Sequence, residues 1–252
     1  SLTGSEPAGR DLARRAGAAL KKTVLELGGS DAFVVLADAD LDEAAGQAAG
    51  ARAINNGQSC IAAKRFIVVE PVADRFEAAF VERMRSLRVG DPFDRATQVG
   101  PLAREDLRAA LEDQVERTVR AGARLALGGR RLEGPGFYFP PTVLTGVEPG
   151  MPAFEEETFG PVAAVTRARD AAHAVDLANR SRYGLGASVW TSDVRRGQEL
   201  AVRLEAGAVF VNEAVKSDPR VPFGGVKCSG YGRELSAFGL REFVNIKTVW
   251  VK

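Results

Sequence analysis

"DAFVVLADADLDEAAGQAAGARAINNGQSCIAAKRFIVVE", residues 31–70, changes its structural pattern twice. Residues 31–38 and 64–70 are short apolar runs rich in β-branched side chains, which is typical of strands. Residues 41–55, between them, are predicted to form a helix. A strand, a helix and a second strand in this order favour an α/β fold with parallel strands.

The same alternation continues through the rest of the chain. Pro7 and Pro71 suit the first turns of two further helices, and Asp40 or Asp42 suits the N-cap of the helix described above. Helices are also predicted over residues 6–20, 71–87, 104–123, 170–180 and 193–203, and strands or extended segments over residues 23–27, 124–129, 138–147, 160–168, 186–191 and 207–212. We therefore predict a mostly parallel sheet flanked by helices.

The last residues differ from this pattern. "FVNIKTVWV", residues 243–251, alternates in a way that predicts a strand, but no nearby segment is an evident partner for it. Because unpaired strand edges recruit other chains, we expect this strand to pair with a second copy of the protein.

Composition narrows the class of protein. The chain has 34 Lys+Arg and 33 Asp+Glu, a balance that argues against nucleic acid as the main partner. It contains no apolar run of roughly 18 residues, which argues against a membrane span, and no signal-peptide pattern at its start, so we expect a cytoplasmic protein. Two cysteines and one histidine predict neither a disulfide framework nor a metal site, and leave acid–base chemistry to carboxylates, lysine or cysteine.

Cys60 is the first candidate for chemistry. It follows a glycine turn and precedes Lys64 and Arg65, and such a setting can lower the pKa of a thiol. A buried structural cysteine fits the local spacing equally well, so this alternative stays open. Cys228, in a polar glycine-rich loop, is predicted to take no part in the chemistry.

Three acidic or glycine-rich segments are ambiguous on their own. Glu26 interrupts an apolar run before a Gly-Gly break, so it is either an outward-facing strand residue or a buried carboxylate with a functional role. Residues 155–157 are consecutive glutamates, and a solvated turn is the default interpretation. Residues 222–234 are rich in glycine but match no phosphate-binding motif.

Five motifs taken together are far more specific. They occur in the order LTGS (2–5), LELGG (25–29), GQSC (57–60), EEETFGPV (155–162) and PFGGVKCSGYGRE (222–234). This series resembles that of the aldehyde dehydrogenase superfamily over the whole chain. The residues within the motifs are most similar to those of the NAD(P)-dependent succinate-semialdehyde dehydrogenase branch. The resemblance implies the aldehyde dehydrogenase catalytic-domain fold and the oxidation of a small aldehyde, here succinate semialdehyde, to the acid.

The resemblance also implies roles for individual residues. Cys60 corresponds to the nucleophile that forms a thiohemiacetal and then a thioester, and Glu26 corresponds to the general base that activates water.

Other motif positions imply binding roles. Gly4 and Ser5 would meet the diphosphate of NAD or NADP, while Glu157 and Phe159 would hold its nicotinamide riboside. For the substrate carboxylate the candidates are Ser217 and Arg220.

The resemblance further predicts a domain organisation. Residues 1–26 would be a remnant of the dinucleotide-binding domain, residues 27–228 the catalytic domain, and residues 229–252 a return segment with a strand for homo-oligomer assembly. The chain would then be the C-terminal catalytic part of a longer protein and lack most of the cofactor domain. Two alternatives follow: a non-catalytic fragment that folds and oligomerises without turnover, or a thiol hydrolase that uses Cys60 without a cofactor.

Overall fold

The computed structural model describes residues 1–252 as alternating strands and helices. The helices are α1 (Glu6–Ala18), α2 (Leu41–Ala53), α3 (Glu70–Arg85), α4 (Glu105–Arg120), α5 (Pro152–Glu155), α6 (Ala171–Asn179), α7 (Val194–Ala201) and α8 (Ser236–Glu242), with a 3₁₀ turn at Ile54–Gly57. The strands are β1 (Leu2–Thr3), β2 (Leu25–Glu26), β3 (Ala32–Val35), β4 (Arg65–Val69), β5 (Arg124–Leu127), β6 (Thr142–Thr145), β7 (Val162–Ala168), β8 (Tyr183–Gly184), β9 (Gly186–Trp190), β10 (Ala208–Val211), β11 (Val226–Lys227) and β12 (Gly230–Tyr231). No helix is both long enough and apolar enough to cross a lipid bilayer.

A seven-stranded sheet forms the centre of the fold. Its strand order is β10-β9-β3-β4-β7-β6-β5, and every neighbouring pair is parallel except β5 and β6. The predicted α/β class with a mostly parallel sheet is confirmed. Strands β3 and β4 are buried along their whole length, as expected for parallel strands covered on both faces.

Aromatic side chains fill the space between sheet and helices. Phe33 stacks on Trp190 with ring centroids 5.0 Å apart, and Phe66 lies 4.5 Å from Phe80 of α3. Apolar residues recur at every fourth position of that helix, and all four are buried against the sheet side of the core: Val72, Phe76, Phe80 and Met84.

Side-chain caps explain why several helices begin where they do. Asp40 accepts hydrogen bonds from the backbone N–H groups of Asp42 and Glu43, so Asp40 is the N-cap of α2. Asp170 and Asp193 cap α6 and α7 in the same way. Since these signals are local, the sequence predicted all three starts to within one residue.

A second, small sheet joins the two ends of the chain. β2 lies between β1 and β12, with Thr3 and Gly230 in register with Glu26 on either side. The segments 1–26 and 229–252 therefore meet at this sheet, while their division into domains stays a prediction.

The strand predicted over residues 243–251 is not formed. Residues 243–252 contain neither helix nor strand, and the large apolar side chains there are exposed. A strand is stable only when another edge satisfies its backbone groups, and no edge of this chain pairs with the segment. Residues 236–242, just before it, form the helix α8, which the sequence did not predict.

Candidate active site

Glu26 is buried at the end of β2 with no hydrogen-bond partner. Its side chain is 3% exposed, and neither carboxylate oxygen is paired. Burial, reinforced by the negative charge of Glu234 and opposed by Arg233, raises the pKa of Glu26 to about 7. The outward-facing alternative is therefore wrong, and the carboxylate is placed to exchange a proton near neutral pH.

The Gly-Gly pair after Glu26 allows two other motifs to approach. A Cβ at Gly28 would lie 2.5 Å from Oε2 of Glu157, and a Cβ at Gly29 would lie 2.3 Å from the carbonyl oxygen of Cys60. The backbone N–H of Gly29 also donates to Oε1 of Glu157 at 3.0 Å. Any larger residue at either position would push these groups apart.

A left-handed turn presents Cys60 after α2. Asn55, Asn56 and Gly57 have φ values of 49°, 58° and 75°, a region that asparagine and glycine tolerate best. A Cβ at Gly57 would lie 2.2 Å from the carbonyl carbon and oxygen of Gly160, so the turn packs directly on the loop that follows the acidic triplet.

Three buried cations surround this turn. Arg52 donates to the carbonyls of Gly57 and Val162, which ties the turn to β7. Lys64 directs its ammonium group at the backbone of the Cys60 turn. Arg65 instead points away from the thiol, toward the backbone at Ser30 and at residues 177–178.

The thiol of Cys60 is half-buried, and its pKa differs from the predicted one. Burial, with a smaller contribution from the negative charge of Asp31, raises the pKa of Cys60 above its ordinary value, although Lys64 acts in the opposite direction. The prediction of a lowered pKa was wrong, because the sequence shows the basic neighbours but not the burial.

The three consecutive glutamates have separate tasks rather than forming one solvated turn. Glu155 accepts a hydrogen bond from the backbone of Gly150. Glu156 forms two bonds of 2.8 and 2.9 Å with the guanidinium of Arg117, which holds the pKa of Glu156 below its ordinary value. Glu157 turns toward Gly29. Helix α4, which carries Arg117, thus anchors the loop that positions Glu157.

The residues predicted for catalysis and cofactor binding line a cleft of about 580 Å³. Its lining consists of Thr3, Gly4, Ser5, Glu26, Leu27, Gly28, Gln58, Ser59, Cys60, Leu107, Glu157 and Phe159. All six positions predicted for catalysis and cofactor binding are among them, although they lie up to 155 positions apart in the chain.

The two substrate candidates and Cys228 lie elsewhere. Ser217 and Arg220 are exposed and do not line the cleft, and Arg220 is paired with Asp218 at 2.5 Å. Their role in substrate binding stays a prediction. Cys228 contacts Arg182, with 3.8 Å between Sγ and Nη2, and is also absent from the cleft lining.

The sequence did not indicate several supporting residues. Ser229 is fully buried, accepts from the backbone N–H of Gly184 and donates to the carbonyl of Gly28 at 2.7 Å, which holds the Gly-Gly break in place. Arg52 and Arg117 likewise act across long sequence separations. No local pattern distinguishes them from ordinary surface residues of helices.

Comparison with known proteins agrees with this geometry. Residues 1–249 match the profile of the aldehyde dehydrogenase family. The chain is 56% identical over 250 residues to the NAD(P)+ succinate semialdehyde dehydrogenase Sad of Escherichia coli, covering 99% of this chain and 54% of that protein. It is 53% identical to the NADP(+) succinate-semialdehyde dehydrogenase of Mycobacterium avium, covering 100% of this chain and 53% of that protein.

A solved structure shows the same fold. The succinic semialdehyde dehydrogenase of Streptococcus pyogenes, crystallised with NADP+, superposes with a TM-score of 0.96 at 39% identity, covering 99% of this chain and 55% of that one. The chain thus spans about half the length of the relatives it matches.

Proposed function

The chain belongs to the aldehyde dehydrogenase family, and from this membership we propose that it carries the nucleophile and general base of an enzyme that oxidises succinate semialdehyde with NAD or NADP. The observation that carries the proposal is the shared cleft, in which a half-buried thiol, Cys60, and an unpaired buried carboxylate, Glu26, lie together. Relatives named for this activity support the choice of substrate.

Cys60 performs the first half of the reaction. Its thiolate attacks the aldehyde carbon and forms a thiohemiacetal. NAD(P)+, when bound, supplies the acceptor for the hydride that leaves this carbon, so that a thioester on Cys60 remains. The glycine at position 29 keeps the backbone around the thiol close enough for all groups to share one cleft.

Glu26 performs the second half. Its carboxylate takes a proton from a water molecule, and the resulting hydroxide attacks the thioester carbon. The carboxylic acid then leaves, Cys60 returns as the thiolate that began the reaction, and Glu26 releases its proton to solvent. A base for this step must accept a proton near neutral pH, which fits a pKa of about 7.

The cleft also fits a dinucleotide. Gly4 and Ser5 stand at the N-terminus of the thirteen-residue helix α1, and the Ser5 side chain makes no capping bond. Free N–H groups at a helix start favour a phosphate. Glu157, whose carboxylate accepts from Gly29, and the aromatic ring of Phe159 line the other side of the cleft and would hold the nicotinamide riboside.

A positive group for the substrate carboxylate must come from outside the cleft lining. The cleft lining contains neither lysine nor arginine. Ser217 and Arg220 remain our candidates, because Arg220 is exposed and its one acidic partner, Asp218, lies only two positions away. A small rearrangement of this loop would free the guanidinium for a substrate.

A spectrophotometric assay tests the proposal. The protein is mixed with succinate semialdehyde and either NAD+ or NADP+, and nucleotide reduction is followed at 340 nm. We expect reduction with at least one nucleotide and faster reaction with succinate semialdehyde than with butanal, which has the same chain length but no carboxylate. Equal rates would contradict the substrate, and no reduction of either nucleotide would support the non-catalytic alternative.

Arg117 provides a smaller prediction about cofactor binding. Arg117→Met removes the two bonds to Glu156 and loosens the loop that carries Glu157. Because the pair is partly exposed, we expect a loss of roughly 1 kcal/mol, or about fivefold weaker NAD(P)+ binding with little change in kcat. Titration calorimetry measures the affinity, and Arg120→Met, at an exposed position of the same helix, is the control. Equal affinities of all three proteins would contradict the anchoring role.

The C-terminal segment is proposed to join copies of the protein. Residues 243–252 expose Phe243, Ile246 and Trp250 without a partner, and a strand partner could come from another copy. Deleting residues 243–252 should shift the mass seen by light scattering toward a monomer. If intact and deleted chains scatter as the same species, the segment has no role in assembly.

We also place the protein in the cytoplasm as part of this proposal. Both cysteines are free, and a nucleophilic thiol must stay reduced, which a reducing compartment ensures.

A further inference from the structure

The ammonium group of Lys64 lies directly beneath the turn that carries Cys60. Its side chain is 1% exposed, and Nζ donates to the carbonyl oxygens of Ser59 and Cys60, both at 3.2 Å, and of Ala62 at 3.1 Å. An ammonium group has three N–H donors, so all three are directed at this turn. A buried lysine is costly, and here its whole hydrogen-bonding capacity is used on the nucleophile's backbone.

The same ammonium reaches the acidic loop. Nζ lies 3.9 Å from Oε1 of Glu157, the oxygen that also accepts the backbone N–H of Gly29. One buried charge therefore contacts both the turn of Cys60 and the carboxylate on the facing side of the cleft.

The charges around the thiol show what this cation contributes. Asp31 and Glu157 both disfavour a thiolate at Cys60, whereas Lys64 favours it. Burial lowers the pKa of Lys64 to about 8, and the positive charge of Arg52 is the second cause. Lys64 is thus the cation that offsets two carboxylates at the nucleophile.

We propose that Lys64 is a positioning residue for the nucleophile: its buried ammonium holds the backbone turn that presents Cys60, favours the charged thiolate, and keeps Glu157 at the opposite wall of the cleft. The inference rests on the proposed role of Cys60. The sequence around Lys64 does not indicate that this side chain is buried.

The pH dependence of Cys60 alkylation tests this inference on the intact chain. Each protein is treated briefly with iodoacetamide between pH 6 and pH 10, and labelling of each cysteine is read from its peptide mass. For Lys64→Met we expect labelling of Cys60 to be about tenfold slower at pH 7, where Lys64 of the wild type carries its charge, and this difference to shrink as the pH rises through about 8 and Lys64 loses its proton. Labelling of Cys228 should not change, and it serves as the internal reference.

Three further variants separate charge from hydrogen bonding. Lys64→Arg keeps the charge and should label Cys60 at pH 7 within about twofold of the wild-type rate. Lys64→Gln keeps N–H donors for the carbonyls without the charge, and should slow the labelling of Cys60 at pH 7 as Lys64→Met does. It also replaces Lys64→Met if that protein does not fold, as judged by circular dichroism. Lys21→Met, at an exposed lysine, is the matched control.

The outcomes are distinct. A Cys60 profile that is the same in wild type, Lys64→Met and Lys64→Gln would overturn the inference. So would an equal slowing of Cys60 and Cys228, which would indicate a general loosening of the fold. If Cys60 of the wild type is not labelled at any pH while Cys228 is, the thiol is inaccessible and the proposed nucleophile itself is wrong. Neither aldehyde nor NAD(P) is present, so the result does not depend on turnover.

Discussion

Aldehyde oxidation is expected to fall by at least about 10⁴-fold when Cys60 is replaced by alanine, because the reaction then has no atom on which to form the covalent intermediate. Alanine occupies part of the same half-buried space, so the fold should remain intact. The measurement is the rate of nucleotide reduction at 340 nm with succinate semialdehyde, together with a thermal melt of the variant.

Cys228→Ala is the matched control for this loss. Cys228 is a second free thiol, but it lies outside the cleft lining and contacts Arg182. This variant should keep its activity within about twofold. If Cys60→Ala retained activity, or if both variants lost it equally, Cys60 would not be the nucleophile.

The second large effect is expected from Glu26→Gln, which leaves the shape of the side chain but removes the base. General-base catalysis contributes about 10²–10⁴-fold, so the steady-state rate should fall by that factor. In the proposed reaction, the attack of Cys60 on the aldehyde does not need the Glu26 carboxylate. The variant should therefore reduce about one nucleotide per active site in a burst and then stall.

Mass spectrometry of the stalled variant provides the direct check. The peptide that contains Cys60 should carry an acyl group bound as a thioester, which hydroxylamine would release. A variant that slows without a burst and without this adduct would assign Glu26 to a different step.

Glu26→Gln should also change how stability depends on pH. The pKa of Glu26 is raised, from 4.5 to about 7, so folding favours its protonated form. This contribution is fully present below about pH 4.5 and is lost as the pH rises through about 7. The variant should match the wild type at pH 4.5 and be more stable at pH 8, by on the order of 2 kcal/mol once screening by solvent in the open cleft is allowed for.

Urea unfolding at the two pH values measures this difference. Asp31, whose pKa burial raises to about 6, is present in both proteins, so its contribution cancels in the comparison. An equal stability difference at pH 4.5 and pH 8 would mean that Glu26 is not buried as a charged group in solution.

Local patterns in the sequence determined the framework of the fold. Helix α3 was evident from its four-residue apolar repeat, and α2 from its aspartate cap, because both signals involve residues within a few positions of each other. The strands of the central sheet were evident as short β-branched runs. The C-terminal strand stays a prediction, since a strand pattern does not supply the edge on which a strand depends and the single chain offers none.

Motif order in the sequence also identified the candidate residues, and all six positions predicted for catalysis and cofactor binding lie in one cleft. The sequence could not determine their environments. The alternation of apolar and polar residues allowed Glu26 to be either exposed or buried. In the fold β2 pairs with Gly230 and Tyr231, about 200 positions later, and the Glu26 side chain is buried.

The same limit applies to the cations near Cys60. In sequence Lys64 and Arg65 are equivalent neighbours of the thiol, but in the folded chain only Lys64 turns toward the backbone of the Cys60 turn, while Arg65 points to the backbone at residues 177–178. The pKa of a group depends on its burial and on charges brought close by distant segments. The sequence by itself therefore determined the elements and the candidate residues, and only the tertiary structure decided which carboxylate is unpaired, which cation contacts the turn of Cys60 and how readily each group ionises.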